Sequence, residues 1–135
     1  MANPKVFSVS VVTPERAVIE RDDATLVVLP AHDGEIGIQR GHSPILTRLG
    51  IGALRVDASG GEDLVMYIDG GFAQMVDNRL SVLTEQAKEP ADLDPQAAAA
   101  AWEALRGQTI VGERALRRHQ DALARAQVQK RMTSP

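Results

Sequence analysis

The most constrained part of this 135-residue chain is the stretch Gly34–Thr47, which holds three glycines and one proline. Gly34 and Gly41 can adopt positive φ angles at little cost, whereas Pro44 fixes its own φ and favours an extended Ser43. The stretch starts with side chains that alternate as in a β-strand, and it breaks near Gly41 before a second apolar run. A backbone path this specific either shapes a turn or presents side chains to a partner.

Short β-strands separated by turn residues are predicted on both sides of this stretch, from Val6 to about Glu85. The turns are expected at Thr13–Arg16, Arg21–Asp23, Ser59–Glu62 and Asp77–Asn78, and Gly70-Gly71 interrupts a further strand. Glycine pairs inside strands mark bulges or close backbone approaches. About eight to ten strands with no helix between them predict a mainly β fold, an antiparallel sandwich or flattened barrel.

The pattern changes at Asp94, where an antiparallel two-helix hairpin is predicted. Asp94 is a suitable N-cap with Pro95 at the first helical position, and Gly107 is a suitable C-cap. The second helix is expected to start after Gly112 and to end near Arg131. The short connector between the helices favours their antiparallel packing.

The apolar stripe of this hairpin is thin. Its large members are Trp102, Leu105, Leu116 and Leu123. Each contributes about 1.5–3 kcal/mol when fully buried, whereas ordering the backbone costs about 1–2 kcal/mol per residue. Docking of the hairpin should therefore be marginal. We divide the chain into a β-sandwich domain at residues 1–87, a linker at 88–93 and the helical hairpin at 94–135.

Charge is unevenly distributed between these parts. Residues 1–93 carry 8 Lys/Arg against 14 Asp/Glu, a net charge of −6, whereas residues 94–135 carry 7 against 4, a net charge of +3. This split predicts two surfaces with different partners. One Trp, one Tyr and two Phe provide no set of aromatic rings on which bases could stack. Nucleic acid is therefore not expected as the main ligand.

Cysteine is absent, so neither a disulfide framework nor a thiolate metal site is available. The N-terminus lacks an apolar signal core, and no apolar run reaches the roughly 20 residues needed for a membrane-spanning helix. We therefore expect a soluble intracellular protein that meets the membrane only through a partner.

The candidates for a metal site or an acid–base pair are His32, Asp33, Glu35 and His42. Their spacing matches no compact ligand pattern, such as two histidines on one helical turn, so turn and surface roles are favoured. The chain also lacks a nucleophile elbow and a phosphate-binding glycine loop. We therefore predict no catalytic residue, no metal site and no cofactor.

The hairpin carries a basic face that suits an acidic partner. We call the following residues the basic hairpin face: Arg114, Arg117, Arg118 and Arg125. From the residues alone, an interaction module is favoured. A ligand-binding β-sandwich with a helical oligomerisation tail is the alternative, and an enzyme is a more distant one.

Four segments resemble the epsilon subunit of the bacterial F-type ATP synthase, which is called delta in mitochondria. They are Val11-Val12-Thr13-Pro14-Glu15, the Gly34–Thr47 stretch, Tyr67-Ile68-Asp69-Gly70-Gly71-Phe72 and Val82-Leu83-Thr84-Glu85-Gln86-Ala87. The order of sandwich and hairpin agrees, and the likeness covers nearly the whole chain. It implies a non-catalytic rotor subunit of a proton-translocating synthase, peripheral to the cytoplasmic face of the bacterial inner membrane.

The resemblance also implies roles for individual residues. Glu35 would face the loops of the membrane-embedded c-ring, and His42, Ser43 and Pro44 would contact the gamma subunit. The hairpin would leave the sandwich and contact the beta and alpha subunits. Its basic face would meet an acidic segment of the beta subunit, and the contact would block ATP hydrolysis.

Some members of this family bind ATP through a Leu/Ile-Asp-x-x-Arg-Ala motif at the start of the first helix. The corresponding residues here are Leu93-Asp94-Pro95-Gln96-Ala97-Ala98, so Asp94 is present and the arginine is replaced by Ala97. Alanine cannot replace a phosphate or base contact made by a fixed positive charge. We therefore predict weak or absent ATP binding.

Overall fold

The computed structural model describes residues 5–133, so the first four residues of the predicted sandwich domain and the last two of the predicted hairpin lie outside the described residues. Within this range, seven strands precede two helices. The strands are β1 (Phe7–Val12), β2 (Ala17–Ala31), β3 (Gly34–Ile38), β4 (Ile45–Ala58), β5 (Leu64–Val76), β6 (Arg79–Leu83) and β7 (Ala87–Lys88). A 3-10 turn at Pro90–Asp92 leads to the helices α1 (Pro95–Arg106) and α2 (Glu113–Met132).

The strands form one sheet in the order β1-β6-β5-β4-β2-β3, with β7 added to β5. An additional pairing of β1 with β2 closes the sheet on itself. The β1–β6 pair is parallel, and the other pairs are antiparallel. The predicted fold class, a mainly β sandwich or flattened barrel followed by a two-helix hairpin, is confirmed.

Fewer strands are present than the sequence predicts because some of them are longer than expected. The predicted turn at Arg21–Asp23 is wrong, since β2 runs through these residues. Arg21 Nη2 lies 2.9 Å from Asp23 Oδ2, and the register with β1 shifts between Phe7 and Val9. A bulged strand can therefore hold charged residues that the sequence pattern assigns to a turn.

The core lies inside the closed sheet and consists of inward-facing aliphatic side chains. Those with no exposed surface include Val11, Val27, Leu29, Ile38, Leu54, Val56, Met75 and Val82. The predicted turn between β5 and β6 is confirmed: Asp77 and Asn78 have φ angles of 51° and 60°. Positive φ at both central residues is the geometry that suits the twist of a tight hairpin.

Strand β5 changes face at the glycine corner, by which we mean Gly70-Gly71. Ile68 faces the core before the corner and Ala73 does so after it, so the alternation of side chains shifts by one residue. The two glycines have φ angles of 67° and 104°. A Cβ on Gly71 would overlap the carbonyl oxygen of Leu83, so this close approach of two backbones requires glycine.

The helices begin where the sequence predicts. Asp94 Oδ1 accepts hydrogen bonds from the backbone N–H groups of Gln96 (2.9 Å) and Ala97 (3.2 Å), which confirms the N-cap. The thin apolar stripe is also confirmed, because Ala98 and Ala126 are the buried residues of the two described helices. Neither helix is long and apolar enough to cross a membrane, as far as the described residues extend.

The segment between sandwich and hairpin is attached to the sandwich. Lys88 pairs with Tyr67 in β5, and Leu93 is buried. The division of the chain at 1–87, 88–93 and 94–135 stays a prediction.

Candidate interaction surfaces

The stretch Gly34–Thr47 forms the edge strand β3 and the turn that leads into β4. Strand β3 pairs with β2 and lies at the end of the strand order. Glu35 is exposed at the start of β3, opposite Pro30 in β2. The predicted positive φ angles at Gly34 and Gly41 are confirmed at 153° and 82°. Glu35 therefore projects from one end of an exposed sheet edge.

The turn at the other end of the stretch is fastened to the β5–β6 turn. The backbone N–H of Gly41 donates to Asn78 Oδ1 at 2.7 Å. The backbone N–H of His42 donates to the Gln39 carbonyl at 3.1 Å, and His42 Nδ1 lies 2.7 Å from the Ser43 carbonyl oxygen. Ser43 and Pro44 are exposed. These contacts hold a turn in place whose outer residues remain open to a partner.

The four residues considered for metal or acid–base chemistry do not form a compact site. His32 and Asp33 are exposed in the β2–β3 turn, beside Glu35, whereas His42 is half-buried beyond the far end of β3. Across residues 5–133, no three His, Asp or Glu side chains are grouped so that they could hold a metal ion.

A bare apolar patch occupies the outer face of β4, β5 and β6 next to the fastened turn. We call the following exposed residues the bare patch: Leu46, Phe72, Val76 and Leu83. Phe72 pairs directly with Leu83 on one side and with Arg48 on the other, and Leu46 pairs with Gln74. Directly paired residues lie on the same face of a sheet, so the bare patch is one surface. Leu46 is 70% exposed and Phe72 50%.

The outer face of β5 on the other side of the glycine corner is covered by the hairpin. Tyr67 points away from the core, since its neighbours Met66 and Ile68 point into it, yet Tyr67 has no exposed surface. Helix α2 packs against β4 and β5 and provides the cover. Burial raises the pKa of the Tyr67 hydroxyl.

The structure separates the basic hairpin face into two parts. Arg114, Arg117 and Arg118 are exposed. Arg125 instead donates from Nε to Asp69 Oδ2 in β5, at 2.7 Å. This hydrogen bond raises the pKa of the Arg125 guanidinium. In this conformation the first three members of the basic hairpin face point outward, and Arg125 is paired with the sandwich.

The residues that correspond to the ATP motif lie at the start of α1. The Asp94 carboxylate is occupied with capping this helix, and Ala97 is exposed.

Two of these features were missed by sequence reasoning, namely the bare patch and the Asp69–Arg125 contact. Both lie next to the glycine corner, and the shift of alternation on either side of Gly70-Gly71 is the signal that could have indicated them.

A closed sandwich with a fastened exposed turn, a bare apolar patch and a thinly packed basic hairpin defines a class of protein that binds other proteins. The comparisons with known proteins identify the family. The model of the ATP synthase delta/epsilon chain β-sandwich domain matches residues 6–90, which is most of the chain and nearly the whole sandwich. The chain belongs to the ATP synthase delta/epsilon chain family.

Two curated relatives named ATP synthase epsilon chain support this membership. The protein from Syntrophomonas wolfei is 42% identical over 97 residues, which cover 72% of this chain and 70% of the relative. The protein from Rhodopirellula baltica is 48% identical over 83 residues, 62% of each chain.

Two solved structures share the fold at low identity. A chain in the mitochondrial ATP synthase of Euglena gracilis, solved with its OSCP, F1 and c-ring parts, has a TM-score of 0.85 at 21% identity; the match covers 99% of this chain and 85% of that one. A chain in the central stalk and c-ring of the Tetrahymena thermophila mitochondrial ATP synthase has a TM-score of 0.73 at 14% identity, with coverage of 94% and 96%. Both matches extend the likeness of fold beyond the sandwich to nearly the whole chain.

Proposed function

We propose that the chain is a non-catalytic rotor subunit that couples the gamma subunit to the c-ring in the central stalk of a proton-translocating F-type ATP synthase. It would work as a peripheral protein on the cytoplasmic face of the bacterial inner membrane. The family membership supports an ATP synthase role, and the two related structures come from assemblies that contain a c-ring or central stalk.

The observation that carries the proposal is the bare patch beside the fastened turn. Leu46 lies two residues after Pro44, and the turn is tied to Asn78 in the β5–β6 turn. Large apolar side chains that protrude together from a rigid sheet mark a protein interface. We assign this surface to the gamma subunit.

Leu46→Asp tests this assignment. Because Leu46 is largely exposed, the substitution should leave the sandwich folded while it places a charge within the proposed interface. Co-purification with the cognate gamma subunit is expected to fall at least tenfold. The control is Val111→Asp, a residue that is 87% exposed in the connector of the hairpin, which should retain gamma.

Retention of gamma by both variants would contradict the assignment of the bare patch. A homo-oligomer of the wild-type chain that does not bind gamma would contradict the rotor role altogether and favour the ligand-binding alternative.

We assign Glu35 to the c-ring contact. Its carboxylate is exposed on an edge strand. The turn assigned to the gamma subunit lies at the opposite end of the Gly34–Thr47 stretch, so the two contacts can be made at once. In the assembled synthase, Glu35→Ala should lower ATP-driven proton pumping without loss of gamma. Glu20→Gln removes an exposed carboxylate from β2 and is the control. Equal pumping by wild type and Glu35→Ala would contradict this role.

The hairpin is proposed to inhibit ATP hydrolysis once it leaves the sandwich. Its exposed arginines, Arg114, Arg117 and Arg118, supply the positive surface for an acidic segment of the beta subunit or its alpha neighbour. ATP hydrolysis by a synthase assembled with a chain that ends at Ala91 should then exceed hydrolysis by the full-length assembly. Equal rates would contradict the inhibitory role and leave the coupling role intact.

A further inference from the structure

The hairpin covers the sandwich with few buried apolar side chains of its own. Ala98 and Ala126 are the buried side chains of the described helices, and Leu116 is 44% exposed. Burial of two methyl groups contributes far less than burial of leucines would. The apolar side chains of the hairpin itself therefore contribute little to holding α2 on β5, and polar contacts gain weight.

Tyr67 lies beneath the hairpin, and the burial of its ring favours docking. Its hydroxyl is buried near Asp69 and near Gln129 of α2, without a well-formed hydrogen bond to either. A buried hydroxyl without a partner costs free energy, which is recovered when the hairpin leaves and the hydroxyl returns to water. The hydroxyl thus offsets part of the free energy gained by covering the ring.

The Asp69–Arg125 ion pair acts in favour of docking. Arg125 Nε and Asp69 Oδ2 are 2.7 Å apart, and the Asp69 side chain is only 15% exposed. Charge-assisted hydrogen bonds of this length are stronger than neutral ones, and partial burial protects them from screening by salt. The pair joins the second half of α2 to the middle of β5.

The backbone around Asp69 directs its carboxylate toward the hairpin. The N–H of Asp69 donates to the Gln86 carbonyl and lies within 3.2 Å of Thr84 Oγ1. The Thr84 hydroxyl is buried and donates to the same Gln86 carbonyl. The glycine corner follows at once and turns the strand over. Asp69 is therefore held with its side chain outward, and these backbone contacts do not depend on its charge.

We propose that Asp69 is the latch of the hairpin: its pair with Arg125 keeps α2 on the sandwich against the buried Tyr67 hydroxyl. Neutralising Asp69 removes the charge partner but preserves the shape of the side chain. Arg125 is partly exposed and can then turn into water, so the docked state loses this charge-assisted contact. The link to regulation rests on the proposed inhibitory role of the hairpin, whereas the latch concerns the isolated chain.

Hydrogen exchange of the full-length isolated chain tests the latch. Most of the stability of a helix in a protein comes from tertiary packing, so the amides of α2 should exchange when the hairpin undocks. Asp69→Asn should lower the protection factors of α2 by roughly tenfold, the expected loss for one charge-assisted hydrogen bond, and leave those of β4 and β6 unchanged. Asp57→Asn is the matched control, because it breaks the Arg55–Asp57 ion pair within β4.

Three further variants separate a latch from a general loss of stability. Tyr67→Phe keeps the ring and removes the hydroxyl, so protection of α2 should rise. Exchange of the charges, Asp69→Arg with Arg125→Asp, should restore protection relative to Asp69→Arg alone.

The latch is overturned if Asp69→Asn leaves α2 as protected as Asp57→Asn does, or if it lowers protection of β4 and β6 as much as that of α2. ATP hydrolysis by the assembled synthase is a separate readout. Faster exchange with unchanged hydrolysis would support the latch and contradict the inhibitory role, whereas unchanged exchange would contradict the latch whatever the hydrolysis rate.

Discussion

Replacement of Gly71 by alanine should destabilise the sandwich more than most single substitutions. Gly71 has a φ of 104°, where an L side chain costs about 1–3 kcal/mol. The new Cβ would also overlap the Leu83 carbonyl oxygen and lie 2.9 Å from the Thr84 Cα. Because both obstacles are backbone atoms, β5 and β6 must separate, which adds about 1–3 kcal/mol for overpacking. We expect a loss of about 2–6 kcal/mol, out of about 5–15 kcal/mol for a typical domain.

Gly70→Ala is the matched control for this prediction. Gly70 also has a positive φ, 67°, but the nearest atom to its added Cβ is the Leu49 carbonyl oxygen at 3.9 Å. Only the backbone cost of about 1–2 kcal/mol remains. Urea unfolding followed by far-UV circular dichroism measures both free energies of unfolding. Equal losses in the two variants would show that the β5–β6 backbone yields to the methyl group, and the steric reasoning would be refuted.

Three further outcomes are expected. A chain that ends at Ala91 should keep the circular dichroism spectrum of a folded sandwich, because the hydrophobic core lies in the strands; an unfolded spectrum would contradict this. Calorimetric titration of the isolated chain with ATP should show no tight stoichiometric binding, since Ala97 offers no cation, and tight binding would contradict that argument. The hydrogen bond from Arg21 lowers the pKa of Asp23, so the pair stabilises the fold above about pH 4 and this contribution is lost as the pH falls through the lowered pKa. Asp23→Asn should therefore lower the Tm at pH 7 and approach the wild-type Tm in acid, whereas a difference independent of pH would contradict the ionic explanation.

The features that sequence reasoning predicted correctly are local ones. Alternating side chains place the core strands, the Asp77–Asn78 pair defines a tight turn, and Asp94 before Pro95 defines a helix start. Each depends on residues a few positions apart, whose backbone preferences are strong enough to survive in the fold. The positive φ angles at Gly34 and Gly41 belong to the same group.

The features that it missed depend on residues far apart in sequence. Arg21–Asp23 has the composition of a turn, and only the pairing of β2 with its neighbours makes it a bulged strand. Arg118 and Arg125 are seven positions apart on α2 and so lie on nearly the same helix face. Arg125, in the second half of α2, meets Asp69 in β5, whereas Arg118 stays exposed. Helix periodicity indicates the direction in which a side chain points, but it does not indicate which turn of the helix has another element beside it.

The glycine corner lets one strand serve two separate surfaces. Before it, Tyr67 and Asp69 face outward beneath α2; after it, Phe72 and Val76 face outward in the bare patch. The backbone at the corner is packed against Leu83 without room for a Cβ, so close packing holds the corner in one conformation. Release of the hairpin should therefore uncover Tyr67 and leave the bare patch in its original shape. The proposed function requires such independence, because the hairpin would move while the sandwich stays bound to gamma.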